Sequence, residues 1–283
     1  MNRHFGLLAL TMALGTTTAQ AQTMRPFTTF RQLHGETRLG ARLEYAGGTL
    51  RIIPGKSTEL YRMDLSYDDG RFVPLSDFDA GRETVLLGLR ATGQAGVRVV
   101  SRNQLQQVAA VAFSPRVDLA LDLALGAVEA DIELGGLSVS DLEVKTGASR
   151  SVVRFSKPNL TRCTRAGFSA GAAELLVSGL GNSRCSTIEF EGGVGKVTLD
   201  FSGTWSSNAR VQVQMAMGEL TLRLPRTVGV RVAMDRFLSK FAPVGLRQRG
   251  QNEFVSPNYD GAERKLDLEL STAMGGVNIQ WVE

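Results

Sequence analysis

Along most of the chain, apolar and polar residues change places at every step. In "LALDLALGAVEADIEL", residues 119–134, Leu119, Leu121, Leu123 and Leu125 share one parity, while Asp118, Asp122 and Ala124 share the other. After Gly126 the alternation resumes with Val128, Ile132 and Leu134 against Glu129, Asp131 and Glu133. A period of two sends successive side chains to opposite faces of a strand, and no helix segregates residues in that way. Glycine supplies the backbone freedom for a bend between two strand halves.

The unit recurs. Leu142, Val144 and Thr146 lead through Gly147 to Val153 and Phe155; Ile188 and Phe190 lead through "EGGVG" to Val197, Leu199 and Phe201. Val211, Val213, Met215 and Met217 precede Gly218, with Leu220, Leu222 and Leu224 after it. Leu266, Leu268 and Leu270 precede Gly275-Gly276, with Val277, Ile279 and Trp281 after them. Weaker copies are "ARLEYAGGTLRII", "LYRMDLSYDDGRFVPL" and "TVLLGLRATGQAGVRVV". In the well-marked copies the central glycines return every twenty-one to twenty-five residues, a spacing of stacked repeats, although a meandering sandwich also repeats its strands.

The two cysteines bear on that choice. Cys163 and Cys185 are twenty-two residues apart, about one repeat. Residues one coil apart in a solenoid lie at the inter-strand spacing of about 4.8 Å. A disulfide needs a Cα separation of roughly 4.4–6.8 Å, so a bridge between adjacent coils fits. The expected fold is therefore all-β, a single β-solenoid, with the sandwich as the alternative. From Pro225 to Ala262 the copies stop, and Met234, Phe237, Leu238 and Phe241 fall at helical spacing. "MDRFLSKF" predicts a short amphipathic helix over 234–241, ending before Pro243 and covering an open end of the stack. A helix that docks a partner is the alternative role.

The first residues read as an export signal: basic Arg3, the apolar run "FGLLALTMALG" from Phe5 to Gly15, then Ala19-Gln20-Ala21. The run is too short to span a bilayer, and no later segment is long enough. The expected organisation is a cleavable signal peptide at 1–21, an N-terminal segment at 22–40, and one β-solenoid domain at 41–283 that includes a capping insertion at 225–263. The expected location is the periplasm or the extracellular space. In such an oxidising compartment a lone pair of cysteines is most simply one disulfide.

Charge and chemistry narrow the function further. The net charge of +4 is too small and too dispersed to argue for nucleic acid. "EGGVGKVT" at 191–198 fails as a phosphate loop, because Phe190 stands where the first glycine is required and Val197 where the hydroxyl is required. With His4 in the signal peptide, His34 is the only histidine left to serve as a base, and it lies outside the repeats in "RQLHGETRLG". Metal-ligand and calcium-loop spacings are missing, so neither a metal nor a cofactor is expected. Carboxylates alone can run glycoside chemistry, with Asp118, Asp122, Asp131, Glu133, Glu189 and Glu191 as candidates. They occupy outward strand positions, where solubility also calls for them.

The stretches "RCTRAGFSAGAAELLVSGLGN", "TIEFEGGVGKVTLDFSG", "GELTLRLPRTVGVRV" and "FVSPNYDGAERKLDLELSTAMGGVNIQW" resemble the toastrack-type domains of bacterial cell-envelope proteins. That group includes the LiaF-like C-terminal domain and adhesin-head-like domains of unknown function. The resemblance covers most of the chain and is strongest from Leu119 onward. It implies a β-helix-like stack used as an extracytoplasmic binding or sensing module, and it brings no catalytic residues. Members are often joined to membrane helices, which this sequence lacks.

The expectation is then a non-enzymatic module that binds an envelope protein or glycan surface. Arg210, Gln212, Gln214, Lys196, Thr198 and Arg223 are candidates for its face. A self-assembling scaffold is the alternative, since the chain ends within the strand-like "VNIQWVE"; a polysaccharide-active enzyme ranks behind both.

Overall fold

The structure, a computed structural model, describes residues 23–92 and 106–283, without the side chains of Arg236 and Phe237. The expected signal peptide at 1–21 lies outside the described residues, as does part of the copy at 84–100.

Five long strands carry the fold's logic: β2 (Arg38–Pro54), β7 (Asp118–Glu133), β10 (Cys163–Ser178), β11 (Cys185–Asp200) and β12 (Ala209–Pro225). Strands β10, β11 and β12 pair in parallel along nearly their whole length, as do β2 and β7. No meander of hairpins yields parallel neighbours. A straight strand of sixteen residues would reach about 53 Å. The six-residue link Gly179–Arg184 between β10 and β11 spans at most about 25 Å. Each long strand must therefore double back at its middle and form one two-legged rung of a stack. Strands β8 (Ser138–Thr146) and β9 (Arg150–Arg154) share a rung between β7 and β10.

The bend depends on glycine. Gly195, Gly218 and Gly275 stand in register on successive rungs with φ of 155°, 131° and 127°. A Cβ on Gly218 would overlap the carbonyl oxygen of Gly195, and one on Gly275 would overlap that of Gly218. Before these glycines, the residues opposite one another drop out of the ladder, as Gly193 and Ala216 do between Gly192↔Met215 and Val194↔Met217.

Inward residues of both legs stack into unbroken rows. Leu43, Leu123, Val144, Phe168, Phe190, Val213, Leu270 and Met234 form one row across eight rungs, all buried. Leu175, Val197, Leu220 and Val277 belong to the facing row of the second legs. Both rows join one continuous hydrophobic core. No rung hides its apolar side alone; each is covered by its neighbours.

The corners are stitched by asparagine. The buried Asn159 accepts the N–H of Val139 at 2.7 Å and donates to the carbonyls of Val139, Thr161 and Ser183, spanning adjacent rungs. Asn182, at the next corner, donates to the Phe155 carbonyl and accepts the N–H of Thr204, each at 2.9 Å. Cys163 and Cys185 face each other across the β10–β11 ladder, 4.1 Å apart at Cα, and are joined as a disulfide.

Outside the core, arginines tie rungs together. Arg165 contacts Glu143 on the rung before it and Glu189 on the rung after it, the latter at 3.3 Å. Its guanidinium lies where a side chain on Gly167 would stand.

At one end, β5 (Thr84–Ala91) and β6 (Val108–Phe113) form the rung beside β2. Antiparallel strands cover it: β4 (Phe72–Asp79) on β5, β3 (Glu59–Asp68) on β6, and β1 (Met24–Gln32) on β3. At the other end lies β13 (Gly229–Phe241), with β16 (Lys265–Val282) inserted between it and β12. Short strands β15 (Glu253–Val255) and β14 (Arg247–Gln248) flank β13.

Two expectations are corrected here. Residues 234–241 form the second half of strand β13, and no amphipathic helix exists among the described residues; the only helical element there is a 3-10 turn at Leu180–Ser183. The helical spacing arose because the bend slips the alternation by one residue, so apolar positions before and after it fall three and four apart. The closing strand is also not an edge, since β16 is paired on both sides.

Candidate functional site

A groove of about 1060 Å³ crosses the rungs along the bend. Its floor is made of small residues, one from each rung: Ala46, Gly126, Gly147, Gly171, Gly193, Ala216 and Ala273. In four of the seven rungs a larger polar side chain stands two residues earlier, Glu44, Lys145, Glu191 and Gln214; Ala124, Ser169 and Ser271 hold that place in the others. Small floor residues follow from the bend itself, because backbone approaches backbone there and leaves little space for side chains. One end of the groove carries fixed charge. Glu44 accepts from Arg42 at 3.0 Å and from Arg90 at 3.1 Å, and these two hydrogen bonds hold its carboxyl below the usual carboxylate range.

Next to the groove runs an apolar ladder that the alternation does not foresee. Val194, Met217, Met274 and Leu238 are in register on four successive rungs and are 53, 44, 46 and 61 % exposed. Simple alternation places Met217 in the core beside Met215. The slip at Ala216 turns Met217 outward instead, while Met215 remains buried. The signal was present in the sequence: in three of these rungs the ladder residue directly precedes the central glycine.

The candidate face residues do not make one surface. Arg210, Gln212 and Gln214 lie on the outer side of the first legs, and Lys196, Thr198 and Arg223 on the second legs, across the bend. Of the six, Gln214 lines the groove, and Arg223 is held by Asp200 at 2.7 Å.

The candidate carboxylates are also spread out. Asp131 and Glu133 share Arg154, while Asp122 is bound by Arg42 at 2.9 Å and Glu189 by Arg165. Glu191 lines the groove, and Asp118 is exposed at the start of β7. A smaller hollow of about 520 Å³ gathers Asp77, Asp79, Asp122, Asp141 and Glu143 around Arg42. Burial pushes the Asp141 carboxyl up; Arg165 opposes this and Glu143 adds to it. Among the described residues, no three His, Cys, Asp or Glu side chains are arranged to hold a metal ion. His34 is exposed in the turn after β1, its ring Nδ1 bonded to the Gln32 carbonyl. "EGGVGKVT" is the bend of β11, within a strand. No helix among the described residues is long and apolar enough to cross a membrane.

Comparisons place this architecture. A model of the N-terminal domain of toast_rack (DUF2154) matches residues 17–178, and a model of the cell wall-active antibiotics response LiaF C-terminal domain matches residues 182–279. Among solved structures, a candidate cell adhesion protein from Clostridium sporogenes is similar at a TM-score of 0.50 and 17 % identity, over 92 % of this chain and 100 % of that one. A candidate adhesin from Bacteroides fragilis has a TM-score of 0.33 at 10 % identity, over 92 % and 98 %. No curated protein matches the sequence. The stack of bent parallel strands and the match over more than half the length lead to one statement: the chain belongs to the toast-rack family.

Proposed function

We propose that this protein is an extracytoplasmic β-solenoid that binds an envelope protein or glycan along the groove at its bend, without catalysing a reaction. The observation that carries this reading is the groove itself. It is continuous over seven rungs, has a small-residue floor flanked by apolar and polar side chains, and rests on a backbone locked by its neighbours. A rigid surface of this kind loses little freedom when it binds.

Three features support the compartment. The first twenty-one residues have the order of an export signal and are taken to leave the mature chain. The disulfide suits an oxidising space. One matching family model is named for a cell wall-active antibiotics response. Residues 22–40 then supply β1 and the start of β2 ahead of the rest of one domain at 41–283, in which 225–263 hold the end rung β13 and the short strands beside it.

The test is retention on bacterial envelope fractions over a range of salt concentrations. Saturable retention is expected, and it should fall at least tenfold in Ala216→Trp and Ala273→Trp, which fill the floor from exposed positions. No saturable retention, or equal retention in the filled variants, overturns the reading. Turnover in a screen of acidic polysaccharides would replace binding with catalysis.

A further inference from the structure

The last rung is only half covered. Strand β15 pairs with β13 at Arg231–Ala233, and the Met234 N–H donates to the Asn252 carbonyl at 2.9 Å. Beyond that point, among the described residues, 235–241 of β13 are paired only with β16. Every long strand from β2 to β16 in the stack has a partner on both sides. The second half of β13 therefore offers alternate N–H and C=O groups with no ladder partner, which is a template for another strand.

Three side-chain columns say what would fit there. The exposed apolar ladder Val194–Met217–Met274 ends at this edge with Leu238, the most exposed of the four. An added strand would continue the ladder with an apolar residue of its own. Two positions later in each rung runs a charged column, in which Lys196 on β11 stands beside Glu219 on β12. The same position on β13 is Lys240, whose inner neighbour is Gly276. Its outer neighbour should be acidic, as Glu219 is for Lys196. Three positions before Leu238 stands the exposed Asp235, opposite Ser271. That column calls for a basic residue.

We infer that the free half of β13 accepts an extended segment of a partner protein as an added parallel strand, read by the order basic–x–x–apolar–x–acidic. The apolar residue lies beside Leu238, the acid beside Lys240 and the base beside Asp235. All rungs from β2 to β13 are parallel, so this addition continues the sheet. A second copy related by a two-fold axis would present β13 antiparallel and break the columns. No residue of β13 lines the groove of the proposed function, so the two readings stand or fall separately.

A fluorescein-labelled peptide of residues 213–222, carrying Gln214→Lys, contains the required order with Met217 and Glu219. Anisotropy titration of the full protein should show saturable binding. Leu238→Asp should weaken it at least tenfold, while Arg82→Ala, exposed in the turn between β4 and β5, should leave it unchanged. Lys240→Glu should weaken it several-fold, and a peptide that also carries Glu219→Lys should restore it. Circular dichroism verifies that each variant is folded. Absence of saturable binding overturns the inference, as does equal binding by Leu238→Asp or a charge swap that restores nothing. Sedimentation that shows this edge consumed by dimerisation assigns it to a second copy and overturns it too.

Discussion

The two ends of the stack solve the same problem unequally. At the first end, β4 pairs with all eight residues of β5, β3 pairs with β6, and β1 covers β3. Leu60, Met63 and Leu65 of β3 are buried there. Arginine adds a lid: Arg31 lies over the Phe78 ring at 4.1 Å and Arg62 over the Phe30 ring at 4.6 Å. At the far end β15 pairs with only three residues of β13; its Phe254 reaches the Phe241 ring at 5.2 Å, but among the described residues the last leg of β13 has no ladder partner on its outer side. The difference shows that edge protection is a local decision in a stack. Interior rungs protect one another, and each end has to be closed by its own segment.

The largest effect expected from this comparison concerns β16. It is the last strand in sequence yet an interior rung, paired with β12 and β13 at once. Removing residues 265–283 strips a row of buried leucines and uncovers two strands together, so the cooperative thermal transition should vanish. Removing residues 23–32 takes away only β1, which pairs with β3 alone, and a cooperative melt should persist at lower temperature. Equal loss from both deletions would break the distinction between an interior rung and a covering strand.

The disulfide comes next. It closes a loop of twenty-two residues between two middle rungs, and chain-entropy arguments put its worth at roughly 3 kcal/mol. Cys163→Ser with Cys185→Ser should lower stability by about that amount in denaturant titration. Peptide mapping without reductant should recover the two cysteines joined. A midpoint unchanged by the double substitution would mean that the stack already holds this register without the bond.

A loss of similar size, confined to one corner, is expected at Asn159. Asn159→Ala removes the partners of the Val139 N–H and carbonyl inside the protein, where water does not replace them. Leaving such groups unpaired costs roughly 2–4 kcal/mol in total. Hydrogen exchange should show the loss first at Val139 and its neighbours. Uniform loss over both ends would instead assign Asn159 to global stability.

Much of this was legible in the sequence because alternation and a regular glycine are consequences of the same geometry that stacks the rungs. Residues 119–134 could be read as strand, bend and strand, and the cysteine spacing matched one rung. Reading failed wherever the bend shifts phase. Met217 counts as a core residue by parity, and Met234–Phe241 counts as a helix by spacing, because one slipped residue imitates a change of period. In β13 the clue is weaker still, since Ser239 stands in the register position that Gly218 and Gly275 hold in their rungs. The groove was not legible either. Its floor residues are separated by whole repeats and meet only after stacking. The inserted position of β16 is a matter of topology, on which local pattern is silent.

The smallest predicted effect tests whether the covered end depends on charge. Glu59 accepts from Arg62 through both carboxylate oxygens, each at 3.0 Å, and these bonds hold its carboxyl below the ordinary value of 4.5. Hydrogen bonds from Arg42 and Arg90 do the same for Glu44 on β2. A lowered folded value means that ionisation stabilises the fold. That contribution is fully present above about pH 4.5 and is lost as pH falls through the lowered values. Below pH 4.5, hydrogen exchange in β2 and β3 should therefore accelerate in the wild type. Glu59→Gln has no carboxyl to protonate at that position, so its exchange in β3 should be faster at pH 7 and change less on acidification. If β3 in the wild type keeps its protection to pH 3, packing under Leu60 and Met63 closes this end, and the arginine–carboxylate pairs only decorate it.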